Sequence, residues 1–283
     1  MKRFSLIIAI SFLAYHTNAQ SIIYEREDSL KVVELLAAAP AKGTTNDYMS
    51  YFGNRLKGLP YVAKTLETTK KENLIINLRE LDCTTFTENI LALSLCMKSG
   101  KRTFLDFSNF LRQIRYKDGR ISYPARNHYF TAWIDENTRN GFIKEHTAST
   151  TPFTATQTVA LHYMSTHHTA YPALVHDTSL IKNIRTTEKQ ITGRRFRYIP
   201  KHNLARHALL KKQIKNGDII VILTKKPGLD TSHIGIASWH NDGTLHLLNA
   251  SQIHKKVVDE PMTLFKYMQK HPSQIGIRVV RPL

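Results

Sequence analysis

The chain has 283 residues, 42% of them apolar, and carries 40 lysines and arginines against 22 acids, a formal charge of +18. That length buries a sizeable core, in one decorated domain or in two. Past the N-terminal fifteen residues no stretch approaches the eighteen consecutive apolar residues of a spanning helix. A positive field of this size favours anionic partners such as nucleic acid, acidic glycans or a phosphate-rich envelope, with solubility as the plainer reading.

Lys2-Arg3, the apolar run Phe4 to Tyr15 and the small residue Ala19 before Gln20 form the pattern of a cleaved export signal over residues 1–19. No cysteine lies near the cut, so a lipid anchor of the lipobox type is excluded. Removing Lys2 and Arg3 leaves a formal charge of +16. The expected product is an exported, soluble, periplasmic protein of about 264 residues with no stable membrane anchor.

Ser29 to Ala39 reads as a helix, with Asp28 or Ser29 as N-cap and Pro40 as its stop. Asn46 to Leu56 suggests a second short helix. Gly58-Leu59-Pro60-Tyr61-Val62 turns into an extended stretch, and Leu74 to Leu78 reads as a strand. From Thr84 the apolar positions Phe86, Ile90, Leu93 and Met97 recur at helix period, and Gly100 closes that helix. Phe104 to Ile114 is a further amphipathic helix. Arg115 to Ile121 suggests a hairpin about Asp118-Gly119.

Arg126 to Trp133 is aromatic and becomes helical towards its end. The Thr- and His-rich stretch 147–200 is weakly patterned and is expected to be a surface insertion with connecting helices. Asp218 to Leu223, His233 to Trp239, Thr244 to Asn249 and Ile275 to Val280 read as strands. Helices first and antiparallel strands after make an α+β pattern.

The two cysteines, Cys83 and Cys96, fall thirteen residues apart on one helix, about 20 Å and far beyond bridging distance. Cys96, between Leu95 and Met97, is expected in the core. Cys83 follows Asp82 at the helix start. There the helix dipole and unpaired N–H groups favour thiolate, the nucleophilic form. An unpaired thiol in an exported protein suggests catalysis. The base would be His233, on a strand whose hairpin turns at Asn241-Asp242-Gly243. Folding about residue 241 brings Asn249 opposite His233, where it would orient the imidazole; His246 is the alternative third member.

Pro60-Tyr61, Asp82-Cys83, Gly217-Asp218 and Ser232-His233-Ile234-Gly235, in that order, resemble the successive signatures of NlpC-type cell-wall hydrolases. Leu247 to Ser251 is similar to the strand bearing their third catalytic residue. Leu81 to Glu88 and His128 to Ile134 look more specifically like the N-acetylmuramoyl-L-alanine amidase-like family, over roughly residues 30–283. Cys83-Thr84-Thr85 departs from the Cys-Ser-Gly of typical NlpC endopeptidases, and no Gly-Gly follows the Pro-Tyr segment.

The resemblance implies a papain-like core within a single amidase domain, residues 20–283: a helix bearing the thiol packed on an antiparallel sheet bearing the imidazole, with extra N-terminal helices and a central insertion. It implies cleavage of the amide between N-acetylmuramic acid and L-Ala of peptidoglycan or muropeptides, without a cofactor. The alternatives are an endopeptidase acting within the stem peptide, a protease for ordinary proteins, or a basic glycan-binding protein.

In that reading Cys83 attacks, His233 moves the proton and the Cys83 N–H serves the oxyanion. By resemblance, the Tyr61 hydroxyl assists it. Asp82 binds substrate or simply caps the helix. Arg126, Tyr129 and Trp133 are candidates for a groove wall, with core packing as the alternative for the rings, and Ser232 is a candidate contact beside the imidazole. Glu88, five residues past Cys83, lies off the nucleophile's face. Fourteen histidines raise a zinc alternative, but no His-Glu-x-x-His or spaced Cys/His cluster is present. Export and the lack of a recognition motif argue against a nucleic-acid role.

Overall fold

The computed structural model describes residues 22–283; the segment 1–19 read as an export signal lies outside the described residues. The helices are α1 (Arg26–Ala38), α2 (Thr45–Arg55), α3 (Cys83–Lys98), α4 (Phe104–Arg115), α5 (Phe130–Arg139), α6 (Tyr163–Thr166), α7 (Pro172–His176), α8 (Leu180–Ile191), α9 (His207–Leu210) and α10 (Leu264–Gln269). None is long and apolar enough to cross a membrane.

The strands are β1 (Ile22–Ile23), β2 (Leu74–Ile75), β3 (Ile143–His146), β4 (Ala155–Thr158), β5 (Arg195–Pro200), β6 (Ile219–Thr224), β7 (Thr231–Trp239), β8 (Leu245–Ser251), β9 (Lys256–Asp259) and β10 (Gln274–Pro282). β1 and β2 form a small parallel pair. The main sheet is antiparallel in the order β4-β5-β10-β6-β7-β8-β9, and β3 also pairs with β10.

The sheet is apolar on both faces, and alternation along each strand decides which side chains go where. Val221, Leu223, Ile234, Ile236 and Leu248 share one core with residues of α1 to α4, among them Phe86, Ile90 and Leu93 of α3. Ile220, Ile222, Ala237, Leu245 and Leu247 face the other way, onto Leu264 and Met268 of α10 and onto Leu204 and Leu210. Every residue of α3 from Thr85 to Met97 is buried. A helix sealed on all sides holds its first residue, Cys83, in one place.

Several elements differ from expectation. α1 begins earlier, with Glu25 as N-cap, because Asp28 serves as the N3 partner: its Oδ2 takes the Glu25 N–H at 2.9 Å. The strand at Leu74 stops after two residues. Asn77 Oδ1 accepts the N–H groups of both Arg79 and Glu80 and turns the chain there. Asp118 and Gly119 take the positive φ values expected of them, 53° and 62°. No hairpin follows, only one bridge between Tyr116 and Arg126, because α4 runs on to Arg115.

The stretch 147–200 is not a loose insertion. β4 and β5 extend the main sheet, and α6, α7 and α8 close a third core around Tyr129, Val159, Leu161, Met164, Leu174 and Ile184. Its apolar residues are too widely spaced to show a period, yet they converge on one cluster.

Candidate active site

Asp82 is the N-cap of α3. Its Oδ1 accepts the Thr85 N–H at 2.8 Å, and Thr85 Oγ1 accepts the Asp82 N–H at 2.9 Å, a reciprocal box that fixes the helix start. Of the two roles open to Asp82, capping is realised; the residue also borders a cavity. Cys83 comes next, half-buried. Both cysteines are free thiols on this one helix, and Cys96 is fully buried.

The Ile234 N–H and Thr84 are close enough to the Cys83 sulfur to favour its charged form. Burial, and then the Asp82 carboxylate, push the thiol up to about 12. These effects run against the thiolate expected of a helix start. Desolvation and a neighbouring anion outweigh the helix end and these donors.

His233 Nε2 lies 2.9 Å from Asn249 Oδ1, and Asn249 Nδ2 donates to the Leu247 carbonyl at 3.1 Å. The second bond orients the amide so that Oδ1 accepts. His233 therefore donates from Nε2 and keeps a lone pair on Nδ1. Burial depresses the His233 pKa below the ordinary imidazole value.

The hairpin register differs from expectation by two residues. Ile236 pairs with Leu248 and Ser238 with His246, so the centre lies at residue 242 and the register carries Gly235 opposite Asn249. A shift of two preserves the face, and Asn249 still reaches His233 on the diagonal. His246 does not. Its Nδ1 bonds the Glu260 carbonyl at 2.8 Å and its ring stacks on His240 with centroids 3.6 Å apart.

Cys83 and His233 line one cavity of about 220 Å³, together with Thr84, Asn127, His128, Tyr129, Met164, Tyr171, Asp230 and Ser232. A second cavity of about 210 Å³ shares Thr84, Asn127, His128 and Tyr171 and continues past Asp82 to Glu67 and Arg126. Tyr61 is held beside Cys83 because its segment pairs with Leu81: Val62 N–H donates to the Leu81 carbonyl at 3.1 Å. Burial, with Cys83 and Asp82 nearby, raises its phenol to about 12 and keeps it a donor. Ser232 is exposed at the cavity edge, its hydroxyl 3.3 Å from the Ile222 carbonyl.

The other expected contacts also serve the fold. Arg126 is buried and paired with Glu67 and, at 3.6 Å, with Glu72, though it still lines the second cavity. Tyr129 reaches the cavity but gives its hydroxyl to Glu188 at 2.7 Å. Trp133 is fully buried, stacked on Phe130 at 4.6 Å in the main core, so it forms no groove wall. Spacing by four fits a core stripe as well as a ligand stripe, and the core reading is the one realised. Glu88 is likewise structural, 2.7 Å from the buried Arg115 guanidinium.

Sequence reasoning missed His128, Tyr171, Asp230 and the Tyr267–His271 pair. His128 donates from Nε2 to the Tyr123 carbonyl at 2.7 Å, and burial with Arg126 nearby lowers its pKa to about 3, so it stays neutral. Its place beside Tyr129 was the available signal. Asp230 Oδ2 accepts the Thr131 N–H at 2.8 Å and ties the entry of β7 to α5. The Tyr267 ring lies 6.4 Å from that of His233 and 4.6 Å from that of His271. No sequence pattern singled out Tyr171, Tyr267 or His271. Among the described residues no group of three or more His, Cys, Asp or Glu is placed to hold a metal ion.

Comparison with known proteins puts this mixed fold with N-acetylmuramoyl-L-alanine amidases. The N-acetylmuramoyl-L-alanine amidase-like family model matches residues 51–277, and the chain belongs to that family. It is similar to the crystal structure of an N-acetylmuramoyl-L-alanine amidase from Bacteroides uniformis. The two are 37% identical over 85% of this chain and 100% of that one, with a TM-score of 0.79. A Bacteroides fragilis structure, provisionally named a xylanase, is 41% identical over 81% of this chain and 98% of that one, with a TM-score of 0.75. A Legionella pneumophila protein, 22% identical over 91% and 95% with a TM-score of 0.70, shares the fold. A search of the curated proteins finds no match.

Proposed function

We propose that this protein is an exported cysteine amidase of papain-like, NlpC-type build, in one domain after the signal, that hydrolyses the amide between N-acetylmuramic acid and L-Ala in peptidoglycan or muropeptides. The observation that carries the reading is the shared cavity. Cys83 and His233 line it, and His233 is held by Asn249.

With the thiol raised and the imidazole lowered, the resting pair is neutral. His233 takes the Cys83 proton as sulfur attacks the lactyl carbonyl, and no stable thiolate is needed beforehand. No acceptor among the described residues takes the Cys83 N–H, which is free to bind the oxyanion, with the Tyr61 hydroxyl beside it. His233 then returns the proton to the departing L-Ala nitrogen, leaving a thioester on Cys83. Water, deprotonated by His233, hydrolyses the thioester, releases the lactyl carboxylate and restores the thiol.

A glycosidase would need two available carboxyl groups flanking the bond. Here Glu67 and Glu88 are bound to arginines, and Asp82 and Asp230 cap or tie backbone N–H groups. An endopeptidase cutting within the stem uses the same nucleophile, so only products separate the two. Digestion of a defined muropeptide with mass analysis is expected to give free L-Ala-terminated peptide and intact muramic acid. Cys83→Ala is expected to abolish it without unfolding the chain. Fragments cut inside the stem, or turnover by Cys83→Ala, would overturn the proposal.

A further inference from the structure

Two cavities meet beside Cys83, and the chemistry gives them different halves of the substrate. The leaving nitrogen must lie within reach of the acid that protonates it, so the leaving peptide continues past His233. The acyl half, joined to the sulfur, runs the other way. The first cavity holds Cys83 and His233 together with the entry and start of β7, Asp230 to Ile234. The second, of about 210 Å³, touches no residue of β7 and reaches Asp82 and Thr84, the neighbours of Cys83 on either side.

The second cavity suits an uncharged occupant. Its arginines already face carboxylates, Arg126 those of Glu67 and Glu72 and Arg115 that of Glu88. Lys64 is exposed to solvent. The acyl half of a muramoyl peptide is an N-acetylated sugar whose carboxyl is tied up in the amide, whereas the stem peptide carries free carboxylates.

His128 lines both cavities. Its ring packs on that of Tyr123, with centroids 4.5 Å apart, and its Nε2 lies 2.7 Å from the Tyr123 carbonyl. A carbonyl only accepts, so Nε2 carries the proton and Nδ1 keeps a lone pair. Among the described residues nothing bonds Nδ1, and that atom is not sealed from solvent. One edge of the ring is therefore anchored, and the other offers an acceptor where the two cavities join.

We propose that the second cavity takes the muramoyl sugar and that His128 is a specificity-determining residue there, its Nδ1 accepting a hydrogen bond from a hydroxyl or acetamido N–H of that sugar. The inference rests on the amidase reading of Cys83 and His233. A site built to bond a substrate donor discriminates strongly against a ligand that lacks it.

The test presents the two halves of the substrate separately to the Cys83→Ala protein, followed by NMR. The probes are N-acetylmuramic acid methylamide and the stem dipeptide that begins with L-Ala. The sugar is expected to shift the His128 ring resonances, and the dipeptide to shift those of His233 and leave His128 unmoved. Adding His128→Gln keeps a donor for the Tyr123 carbonyl and removes the acceptor at Nδ1. Sugar affinity should then fall about tenfold while dipeptide affinity stays within about twofold. His128→Asn sets an amide oxygen near the Nδ1 position and should recover part of the loss.

A sugar that leaves the His128 ring unmoved, or a dipeptide that depends on His128 where the sugar does not, overturns the proposal. The ring shifts are read with His128 in place, so they decide the matter even if His128→Gln does not fold. Cuts inside the stem in the muropeptide digest would remove the amidase reading itself. Cleavage at the lactyl amide, with sugar binding indifferent to His128, would remove this inference alone.

Discussion

Gly235 lies across the hairpin from Asn249 at a distance that leaves no room for a side chain. A Cβ placed on it would sit 2.8 Å from Asn249 Cβ and 2.8 Å from the Leu248 carbonyl oxygen. The glycine lets Asn249 lie over the strand and reach His233 two residues along. Gly235→Ala is expected to push β8 away and break the His233–Asn249 bond, with about 1–3 kcal/mol lost to overpacking. The check is a pair of measurements, Tm and kcat/KM at a temperature where the variant is folded. A wild-type kcat/KM would refute the link between this glycine and the base.

Asn249 is fully buried, and its bond to His233 becomes charge-assisted once the ring is protonated. Asn249→Ala should lose about 1.5–3 kcal/mol of transition-state stabilisation, the worth of a hydrogen bond to a charged group, or roughly ten- to a hundredfold in kcat. His246→Ala should leave kcat close to wild type, because that ring is bound to Glu260 and stacked on His240. Steady-state kinetics on the muropeptide decide between the two. Equal losses would return His246 to consideration.

Much of this site is legible in the sequence because its parts are set by local rules. An Asp before a cysteine at the start of an apolar helical period is a cap and an N1 residue, and the structure has both. Strand parity puts His233 and Asn249 on one face even when the register is misjudged by two. Parity could not reveal what waits on the other side of the groove. Met164 and Tyr171 from one segment and Tyr267 from another all lie far along the chain from Cys83, and their approach is decided by tertiary packing. The Asp118-Gly119 turn shows the same limit. Its φ angles are as expected but the expected ladder does not form, because the Glu88–Arg115 pair and α4 claim the residues that would have made the strand.

Trp133 offers a direct contrast between groove and core. It is fully buried against Phe130, and its indole N–H has no partner. Trp133→Phe therefore forfeits no hydrogen bond and only part of the volume, while Trp133→Ala should cost about 3–5 kcal/mol. Both should leave KM within about twofold where the protein is folded, since uniform binding is lost only when a ligand contact is removed. Denaturant unfolding and steady-state kinetics check this. A raised KM with unchanged stability would restore Trp133 to the groove.

The protonation state of the Cys83–His233 pair separates two kinds of cysteine enzyme. In one, thiolate and imidazolium exist before substrate arrives, and alkylation by iodoacetamide is fast and flat from about pH 5 to 8. Here burial and Asp82 raise the thiol to about 12, and burial lowers His233. Direct thiolate at pH 7 is then roughly one part in 10⁵, so Cys83 alkylation should be slow at neutral pH and should rise about tenfold per unit towards pH 10. The activity profile should look different. A base with a depressed pKa loses its proton at a lower pH than a free imidazole, so kcat/KM should reach its plateau below pH 6.5 and hold it into the alkaline range. Stopped alkylation assays with mass detection at Cys83, set beside the pH dependence of kcat/KM, give both curves. Fast, pH-independent alkylation between pH 6 and 8 would mean that the ion pair is preformed, and the concerted proton transfer argued for His233 would have to be abandoned.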